Sequence, residues 1–256
     1  MKYIKITSLF IMCLFYSCTR NTNPFQSNEI SQSDLLIKSY EENSVELLNE
    51  FFIRWQNEVT PIDVTNIESD TLKTLYDIFN EFYQPFNLSF FGSEWGDSLY
   101  YGIKYIILQT SISYVIVDSI FSEPPYPDNY SNYIHIDNFY PNLSFDNAEY
   151  VFLTMEYDSL LLNFLGDRES WDEPIEYDFE RIHKQEFLNN LTKIIGGHWG
   201  FGWHIITHPL GQVIRINKAF TKARVSCRII YEWGWADLEK KNGKWHMVDA
   251  DLPLIE

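Results

Sequence analysis

The C-terminal run from about residue 203 to residue 249 constrains the fold of this chain more than any other stretch. Apolar and polar side chains alternate there, as is typical of strands, in five segments: 203–208, 212–217, 223–233, 235–240 and 244–249. Asn242-Gly243 lies between the last two and suits the type I′ turn of a tight hairpin, because both central positions need a positive φ. The stretch therefore predicts four to five antiparallel strands, with Glu239 facing His246 as a surface ion pair.

Helical patterns dominate much of the rest of the chain. Apolar residues recur at helical spacing in four segments, at about 44–58, 70–84, 157–165 and 179–195. Asn43 or Ser44 is suited to cap the first helix and Asp70 the second, while Pro85 and Gly166 are suited to end the second and the third. We therefore expect a substantial layer of helices.

Two further strand regions lie between these helices. β-Branched and aromatic residues over 101–118 predict a central hairpin, and the segments 133–137 and 148–154 predict short strands. The proline-rich stretch 122–130 is the strongest internal break. Together the patterns predict an α+β fold, with N-terminal helices packed on a curved, cone-like antiparallel sheet. One domain over 34–256 is expected, and a subdivision would fall near 119–132.

The N-terminal segment 1–17 has the pattern of an export signal. Lys2 and Lys5 precede an apolar core that is too short to span a bilayer as a mature helix. The segment ends in a serine followed by Cys18, which resembles the lipobox of bacterial lipoproteins, although Phe15 stands where that family prefers leucine. The resemblance implies removal of 1–17 and acylation of Cys18 by diacylglycerol and an N-terminal chain such as palmitate.

The residues after the acylation site predict a tether. The segment 18–33 is rich in Asn, Ser, Thr and Gln and cannot bury a core, so we expect a lipidated, disordered linker to the membrane. Thr19 lacks the aspartate that retains some lipoproteins at the inner membrane, which favours the outer membrane. The membrane is thus an expected partner of this chain through the anchor.

Charge and cysteine content exclude several classes of protein. A formal net charge of −17 without a basic stripe argues against nucleic-acid binding. Beyond the signal and Cys18, Cys227 is the only cysteine, so no intrachain disulfide is expected and stability must come from a hydrophobic core. The chain has no P-loop, dinucleotide fingerprint or paired-cysteine motif, and we expect no cofactor.

Three histidines near the start of the C-terminal run suggest a metal site, but their geometry opposes it. In a strand, His204 and His208 would lie about 13 Å apart, too far to share an ion with His198. A helix would bring them together, but the residues between them are β-branched, no glutamate is among them, and Pro209 follows. We therefore expect no metal.

Tryptophans are the stronger indication of function. The glycines of GHWGFGW and EWGW would leave the neighbouring rings accessible to sugars, lipids, peptides or a partner protein. The predicted binding residues are Trp199, Trp203, His204, His208, Trp233 and Trp235. The alternative is that these rings fill the interior of the sheet.

Two resemblances extend this interpretation. The segment 178–250, with Lys240, Gly243 and Trp245 in its last hairpin, resembles the terminal sheet of the nuclear-transport-factor-two-like cone fold. The segments SEWGDSLYYGIKY, FLTMEYDSLLLNFLG and GGHWGFGWH are similar to an uncharacterised family of bacterial lipoproteins. The first implies a cone fold that serves both enzymes and binding modules, and the second implies the envelope but no activity.

We expect a lipid-anchored envelope protein with a non-catalytic binding or assembly role, and an envelope protein or glycan as its partner. The alternative is a small-molecule hydrolase or isomerase with a cone-shaped pocket, in which His204 and Glu232 form the acid–base pair. A role in toxin immunity would also fit the acidic charge. The sequence leaves the question of catalysis open.

Overall fold

The computed structural model describes residues 30–120, 132–166, 179–196 and 202–255. The chain divides into a short unit, Met1–Ser31, and one compact unit, Gln32–Glu256, which contains every helix and strand described below. The predicted signal segment, Cys18, Trp199 and the proline-rich stretch lie outside the described residues.

The compact unit has an α+β architecture, as the sequence predicts. Its helices are α1 Gln32–Glu41, α2 Val45–Glu58, α3 Asp70–Phe82, α4 Met155–Leu165 and α5 Phe179–Leu188. Its strands are β1 Tyr105–Leu108, β2 Ser111–Val117, β3 Ile134–Asp137, β4 Glu149–Phe152, β5 Ile195–Gly196, β6 Trp203–His204, β7 Leu210–Asn217, β8 Lys222–Ile229, β9 Glu232–Lys241 and β10 Lys244–Ile255. None of the described helices has the length and apolar character needed to cross a membrane.

The main sheet has the strand order β10-β9-β8-β7-β2-β3. Strands β7 to β10 form an antiparallel meander, which confirms the predicted antiparallel arrangement, but the break predicted at Gly234 is wrong because β8 ends at Ile229 and Gly234 lies within β9. The sheet is nevertheless mixed, because β2 runs parallel to β7. Two small sheets flank it: β1 pairs with β4 in parallel, and β5 pairs with β6 in antiparallel.

The last hairpin has the predicted turn and register. Asn242 and Gly243 both have positive φ, 52° and 81°, and Glu239 lies opposite His246. The Glu239 carboxylate, however, contacts the ammonium groups of Lys222 and Lys241 at 3.1 and 3.3 Å. The predicted pairing of strands is therefore confirmed, while the predicted ion pair is replaced by one with two lysines.

The hairpin predicted over 101–118 is wrong, because β1 and β2 belong to different sheets. Gln109, between them, is buried, and its side-chain amide donates to the carbonyls of Ser111 and Gly211 while its oxygen accepts from the Gly211 N–H. These bonds satisfy the backbone where the chain leaves one sheet and enters the other. Strand alternation alone does not reveal such a change of partner.

The four predicted helices agree with the structure except at two ends, but α1 was not predicted, and its first residues, Gln32 and Ser33, lie in the segment expected to be a disordered tether. The Ser69 hydroxyl, rather than Asp70, caps α3 by accepting from the Leu72 N–H at 3.3 Å. Helix α5 ends at Leu188, not near 195, and the Asn189 side chain accepts from the Ile194 N–H at 2.6 Å just beyond it. Asparagine side chains compete in this way with helical hydrogen bonds.

Aromatic side chains build the core on both sides of β1. Trp55 stacks on Tyr157 with ring centroids 4.5 Å apart, and Tyr76 stacks on Phe139 at 4.4 Å. The second cluster, around α3, packs against one face of the main sheet. The other face of the sheet points away from α3. The aromatic stripes of the helices are thus core, as the sequence predicts.

Candidate functional site

The two faces of strands β8 and β9 differ in chemistry, because successive side chains of a strand point to opposite sides. One face packs on the core. The other carries a row of cross-strand pairs: Lys222 with Glu239, Arg224 with Asp237, Ser226 with Trp235 and Arg228 with Trp233. We call Arg224, Arg228, Trp233 and Trp235 the arginine–tryptophan face.

The rings of this face are held in place by guanidinium groups. The Arg228 Cζ lies 4.9 Å from the ring centroid of Trp233, and the Arg224 Cζ lies 5.0 Å from that of Trp235. Arg224 also donates to both carboxylate oxygens of Asp237 at 2.6 Å. A cation–π contact contributes about 0.5–2 kcal/mol, and an arginine fork adds fixed geometry. Both tryptophans are half-buried with defined orientations.

A small pocket of about 80 Å³ lies at one end of this face. It is lined by His204, His208 and Arg228, with apolar walls from Ile205, Ile206 and Leu210. The predicted strand over 203–208 is wrong, because only Trp203–His204 forms a strand and the following residues do not continue it. The structure thus brings two of the predicted binding residues into one site.

His208 is buried and its ring orientation is fixed by Tyr100. The Tyr100 hydroxyl accepts from the His208 backbone N–H at 3.0 Å and lies 2.7 Å from the ring Nδ1. Burial, with the nearby charges of His204 and Arg228, lowers the pKa of His208 to about 3, so the ring is neutral. A neutral imidazole carries its proton on one ring nitrogen, and the choice of nitrogen decides whether Nδ1 donates to the Tyr100 hydroxyl or accepts from it.

The segment that carries His208 is fastened to β1. The Thr207 hydroxyl accepts from the Ile107 N–H at 3.0 Å, and the Thr207 N–H donates to the Ile107 carbonyl at 2.8 Å. The Tyr83 hydroxyl donates to the Thr207 carbonyl at 2.9 Å. With its polar backbone groups satisfied, this stretch holds His208 in place without belonging to a sheet.

Trp203 does not belong to the accessible surface. Its side chain is fully buried, and its Nε1–H donates to the Gly166 carbonyl at 3.1 Å. The expectation that the glycines near Trp203 expose its ring is therefore wrong, and the ring is part of the core. Trp199 lies outside the described residues.

Gly234 has a different role from the one that the sequence suggested. A Cβ at this position would lie 1.8 Å from the Asp251 carbonyl oxygen, where strand β10 crosses close to β9 at a register shift. The glycine between Trp233 and Trp235 thus allows close approach of a backbone, rather than access of a ligand to the rings.

Glu232 and His204 do not form an acid–base pair in the pocket. Glu232 lies on the core side of β9, opposite Ile229, and its carboxylate accepts from the Ser93 hydroxyl at 2.5 Å and the Glu94 N–H at 3.2 Å. Among the described residues that line the His204 pocket there is no carboxylate. This removes the geometry that the hydrolase interpretation required of these two residues.

Sequence reasoning missed a serine–histidine–aspartate contact on strands β2 and β3. The Ser113 hydroxyl lies 3.1 Å from His135 Nδ1, and His135 Nε2 lies 3.1 Å from an Asp137 oxygen. The three side chains meet because Ser113 is paired with His135 in the sheet register. Ser113 and His135 line a cleft of about 370 Å³. The sequence indicated strands at β2 and β3, but it did not give their register.

A second cleft that the sequence did not indicate lies between two loops. It measures about 810 Å³ and is lined by Phe86, Tyr101 and Phe145 together with the carboxylates of Asp97 and Asp146. The Asp97 carboxylate accepts from the Ser89 N–H and hydroxyl. The loops carry no periodic pattern, so no signal in the sequence brings these residues together.

Within the described ranges, no three His, Cys, Asp or Glu side chains converge in a way that would hold a metal ion. Neither a protein-family model, nor a curated protein, nor a solved structure matches this chain. The function must therefore be argued from the sites themselves.

Proposed function

We propose that this chain is a lipid-anchored protein of the cell envelope that binds an envelope glycan without catalysis, through the arginine–tryptophan face. The observation that carries the proposal is the pair of indole rings fixed on one side of the sheet by Arg224 and Arg228. Rigid aromatic faces beside hydrogen-bonding groups suit the alternating apolar and polar surfaces of sugar rings. The anchor at Cys18 and its outer-membrane location remain part of the proposal and rest on the sequence.

The polar neighbours of Trp235 favour a glycan over a protein partner. The Arg224–Asp237 fork and Ser226, which lies opposite Trp235 in the sheet, place polar groups beside this ring. Protein interfaces more often place their tryptophan and arginine anchors within a continuous apolar patch.

A retention experiment tests the proposal. The full chain in detergent is passed over immobilised envelope glycans, and Trp233→Ala and Trp235→Ala are expected to reduce retention roughly tenfold. Tyr101→Ala removes an aromatic side chain that is 89% exposed at a remote site and serves as the matched control. Equal losses of retention in all three variants would overturn the glycan assignment. Retention that disappears when protein is removed from the immobilised envelope material would overturn it as well.

The anchor has its own test. Cys18→Ser is expected to prevent incorporation of labelled palmitate and to move the protein from the membrane fraction to the soluble fraction. A variant that stays in the membrane fraction and remains labelled would contradict lipidation at Cys18.

A hydrolase is the second candidate, and Ser113, His135 and Asp137 favour it. The arrangement has a nucleophile, a base and an orienting carboxylate in hydrogen-bond contact. It is the weaker candidate, because the side chains of His135 and Asp137 are 55% and 79% exposed and water weakens their contact. Turnover of p-nitrophenyl acetate that is lost in Ser113→Ala but kept in Ser111→Ala would support it, and equal turnover in both would exclude it.

A further inference from the structure

We infer that the cleft lined by Phe86, Tyr101, Phe145 and the carboxylates of Asp97 and Asp146 binds a small organic cation through its ammonium group. We call this site the aromatic–acidic cleft. The inference goes beyond the proposed function, because none of these residues belongs to the arginine–tryptophan face. The two sites can therefore be tested separately, and either can fail while the other stands.

The size and composition of the cleft suit a small molecule. Its volume of about 810 Å³ lies within the range of about 300–1,000 Å³ that is typical of sites for small ligands. Such sites combine apolar and aromatic walls with a few polar groups that fix the orientation of the ligand. The aromatic–acidic cleft has this composition, since Ser144 and Asn147 line it together with the rings and the carboxylates.

The lining of the cleft is negatively charged. Among the described residues that line it there is no lysine, arginine or histidine. Lys104, which follows the lining residue Ile103 in the chain, donates instead to the Asn49 Oδ1 at 2.6 Å and lies over the ring of Tyr105. The cleft therefore attracts cations and repels anions.

The two carboxylates are not neutralised by charged groups of the protein. The Asp97 carboxylate accepts from the Ser89 N–H at 2.8 Å and from the Ser89 hydroxyl at 2.9 Å, and both donors are uncharged. These bonds fix the orientation of the carboxylate and leave its charge uncompensated. The Asp146 side chain is exposed, and within the described ranges it makes no hydrogen bond or ion pair. Both carboxylates are thus available to a cation.

Two of the three rings are held by edge-to-face contacts, and the third is accessible. The ring centroids of Phe86 and Phe145 lie 6.0 Å apart, and Phe145 makes a similar contact with Tyr83 at 6.2 Å. Tyr101 is 89% exposed, and in the described part of the chain its ring contacts no other ring. The face of an aromatic ring attracts a cation within about 6 Å of its centroid, and quaternary ammonium ligands are recognised in this way.

An organic cation matches this lining better than a metal ion or a neutral ligand. Calcium takes about six to eight oxygen ligands, whereas much of this wall consists of hydrocarbon rings. A neutral apolar ligand would remove water from the carboxylates without replacing its hydrogen bonds. An alkylammonium ion carries positive charge on an apolar body, so it can pair with the carboxylates and contact the rings at the same time.

The test uses the full chain in a nonionic detergent, with choline as the probe and saturation-transfer NMR of its methyl groups as the readout. The matched control is its neutral carbon isostere, in which a tert-butyl group replaces the trimethylammonium group. We expect a saturable signal from choline, and a signal from the isostere no larger than in detergent alone. Added sodium chloride should weaken choline binding, because salt screens the attraction between exposed charges.

Two further probes identify the source of the ammonium group. Ethanolamine carries a primary ammonium in place of the quaternary one, and glycerophosphocholine carries the choline group as a lipid headgroup does. Tighter binding of ethanolamine than of choline would assign the cleft to primary amines. Tighter binding of glycerophosphocholine than of choline would assign it to a lipid headgroup, and the reverse order to a free cation. Each of these results keeps an ammonium group in the cleft.

Variants assign the binding to the cleft. Asp146→Asn removes one charge at an exposed position and is expected to raise the Kd of the cation roughly fivefold. Asp249→Asn is the matched control, because Asp249 is also exposed but lies on β10 and does not line the cleft. Phe86→Leu keeps an apolar side chain but removes the ring, so it should raise the Kd roughly threefold. If Phe86→Leu fails to fold, the comparison of Asp146→Asn with Asp249→Asn decides.

The inference is overturned if neither choline nor ethanolamine gives a saturable signal, or if the neutral isostere binds as tightly as choline. It is also overturned if Asp249→Asn weakens binding as much as Asp146→Asn. Glycan retention without binding of either cation would remove this inference and leave the proposed function intact. Saturable cation binding without glycan retention would support the cleft and remove the proposed glycan.

Discussion

The two faces of strands β8 and β9 are made by alternate residues of the same segments, yet they are held by different forces. On the core face Val225 lies opposite Ala236 and Cys227 lies opposite Gly234, and all but the glycine are almost completely buried. On the arginine–tryptophan face Arg224 lies opposite Asp237, Arg228 lies opposite Trp233, and Trp235 lies opposite Ser226. One face depends on burial and close packing, and the other on cross-strand pairs.

The difference has a functional meaning. Removing apolar groups from the core face leaves cavities that the surroundings cannot fill, so its residues are constrained by packing. On the outer face Arg224 is itself buried, so its fork with Asp237 belongs to the fold, whereas the exposed pair of Lys222 and Glu239 contributes about 1 kcal/mol or less. The exposed end of the outer face can therefore change without loss of the fold.

The largest expected effect is at Gly234, where the backbone of β10 passes close to that of β9. Gly234→Ala would place a Cβ 1.8 Å from the Asp251 carbonyl oxygen, so we expect loss of folding or destabilisation of about 4 kcal/mol or more. Gly196→Ala is the matched control, because a Cβ there meets nothing within 4 Å. Denaturant unfolding measures both, and a stable Gly234→Ala protein would contradict the packing described for this strand.

Two neighbouring residues of β8 sharpen the comparison of the faces. Ile229→Ala on the core face is expected to lower the free energy of unfolding by about 2–5 kcal/mol, because it leaves a cavity at a fully buried position. Arg228→Gln on the outer face should cost about 0.5–2 kcal/mol, the size of a cation–π contact. Urea unfolding of both variants checks the order, and a larger loss for Arg228→Gln would reverse the assignment of the faces.

The buried ring of His208 predicts a loss of stability in acid. Its pKa is lowered from 6.5 to about 3, so between these values the unfolded chain binds a proton that the folded chain does not. Its contribution is therefore complete above pH 6.5 and falls by about 1.4 kcal/mol per pH unit below it, or about 2 kcal/mol at pH 5. His208→Gln should reduce this slope, while His246→Gln should not. Equal slopes in both variants would contradict the prediction.

The smallest expected effect is at the exposed end of the outer face. The hydrogen bonds from Lys222 and Lys241 lower the pKa of Glu239. Lys222→Ala should therefore raise this pKa toward its ordinary value, as measured by NMR titration, and leave the unfolding midpoint unchanged because the pair lies in water. A large change in the midpoint would mean that the outer face supports the fold more than its exposure indicates.

Patterns with a short period predicted much of the secondary structure. The α+β class, helix α2, the end of α4 at Gly166, the antiparallel meander and the Asn242-Gly243 turn are all confirmed. These features depend on residues that are close in sequence, so local geometry is enough to specify them. Lipidation at Cys18 and the partner remain predictions.

The errors occur where residues far apart in sequence decide the outcome. Gln109 moves the chain between sheets through bonds to Gly211, and the stretch after His204 leaves the strand conformation because Thr207 binds β1. An unusual turn also escaped prediction: Ile230 has a φ of +54° although it is β-branched. Its complete burial and its carbonyl bond to Arg228 offset a conformation that costs about 1–2 kcal/mol.

By itself, the sequence determined which residues of each strand share a face, because the side chains of a strand alternate with a period of two. It also determined where most helices begin and the site at which an anchor is expected. Only the tertiary structure decided that Trp203 is core while Trp233 is not, and that His208 meets Tyr100, which lies 108 residues away in the chain. The physical reason is that alternation is local, whereas burial and buried hydrogen bonds depend on which distant segments the folded chain brings together.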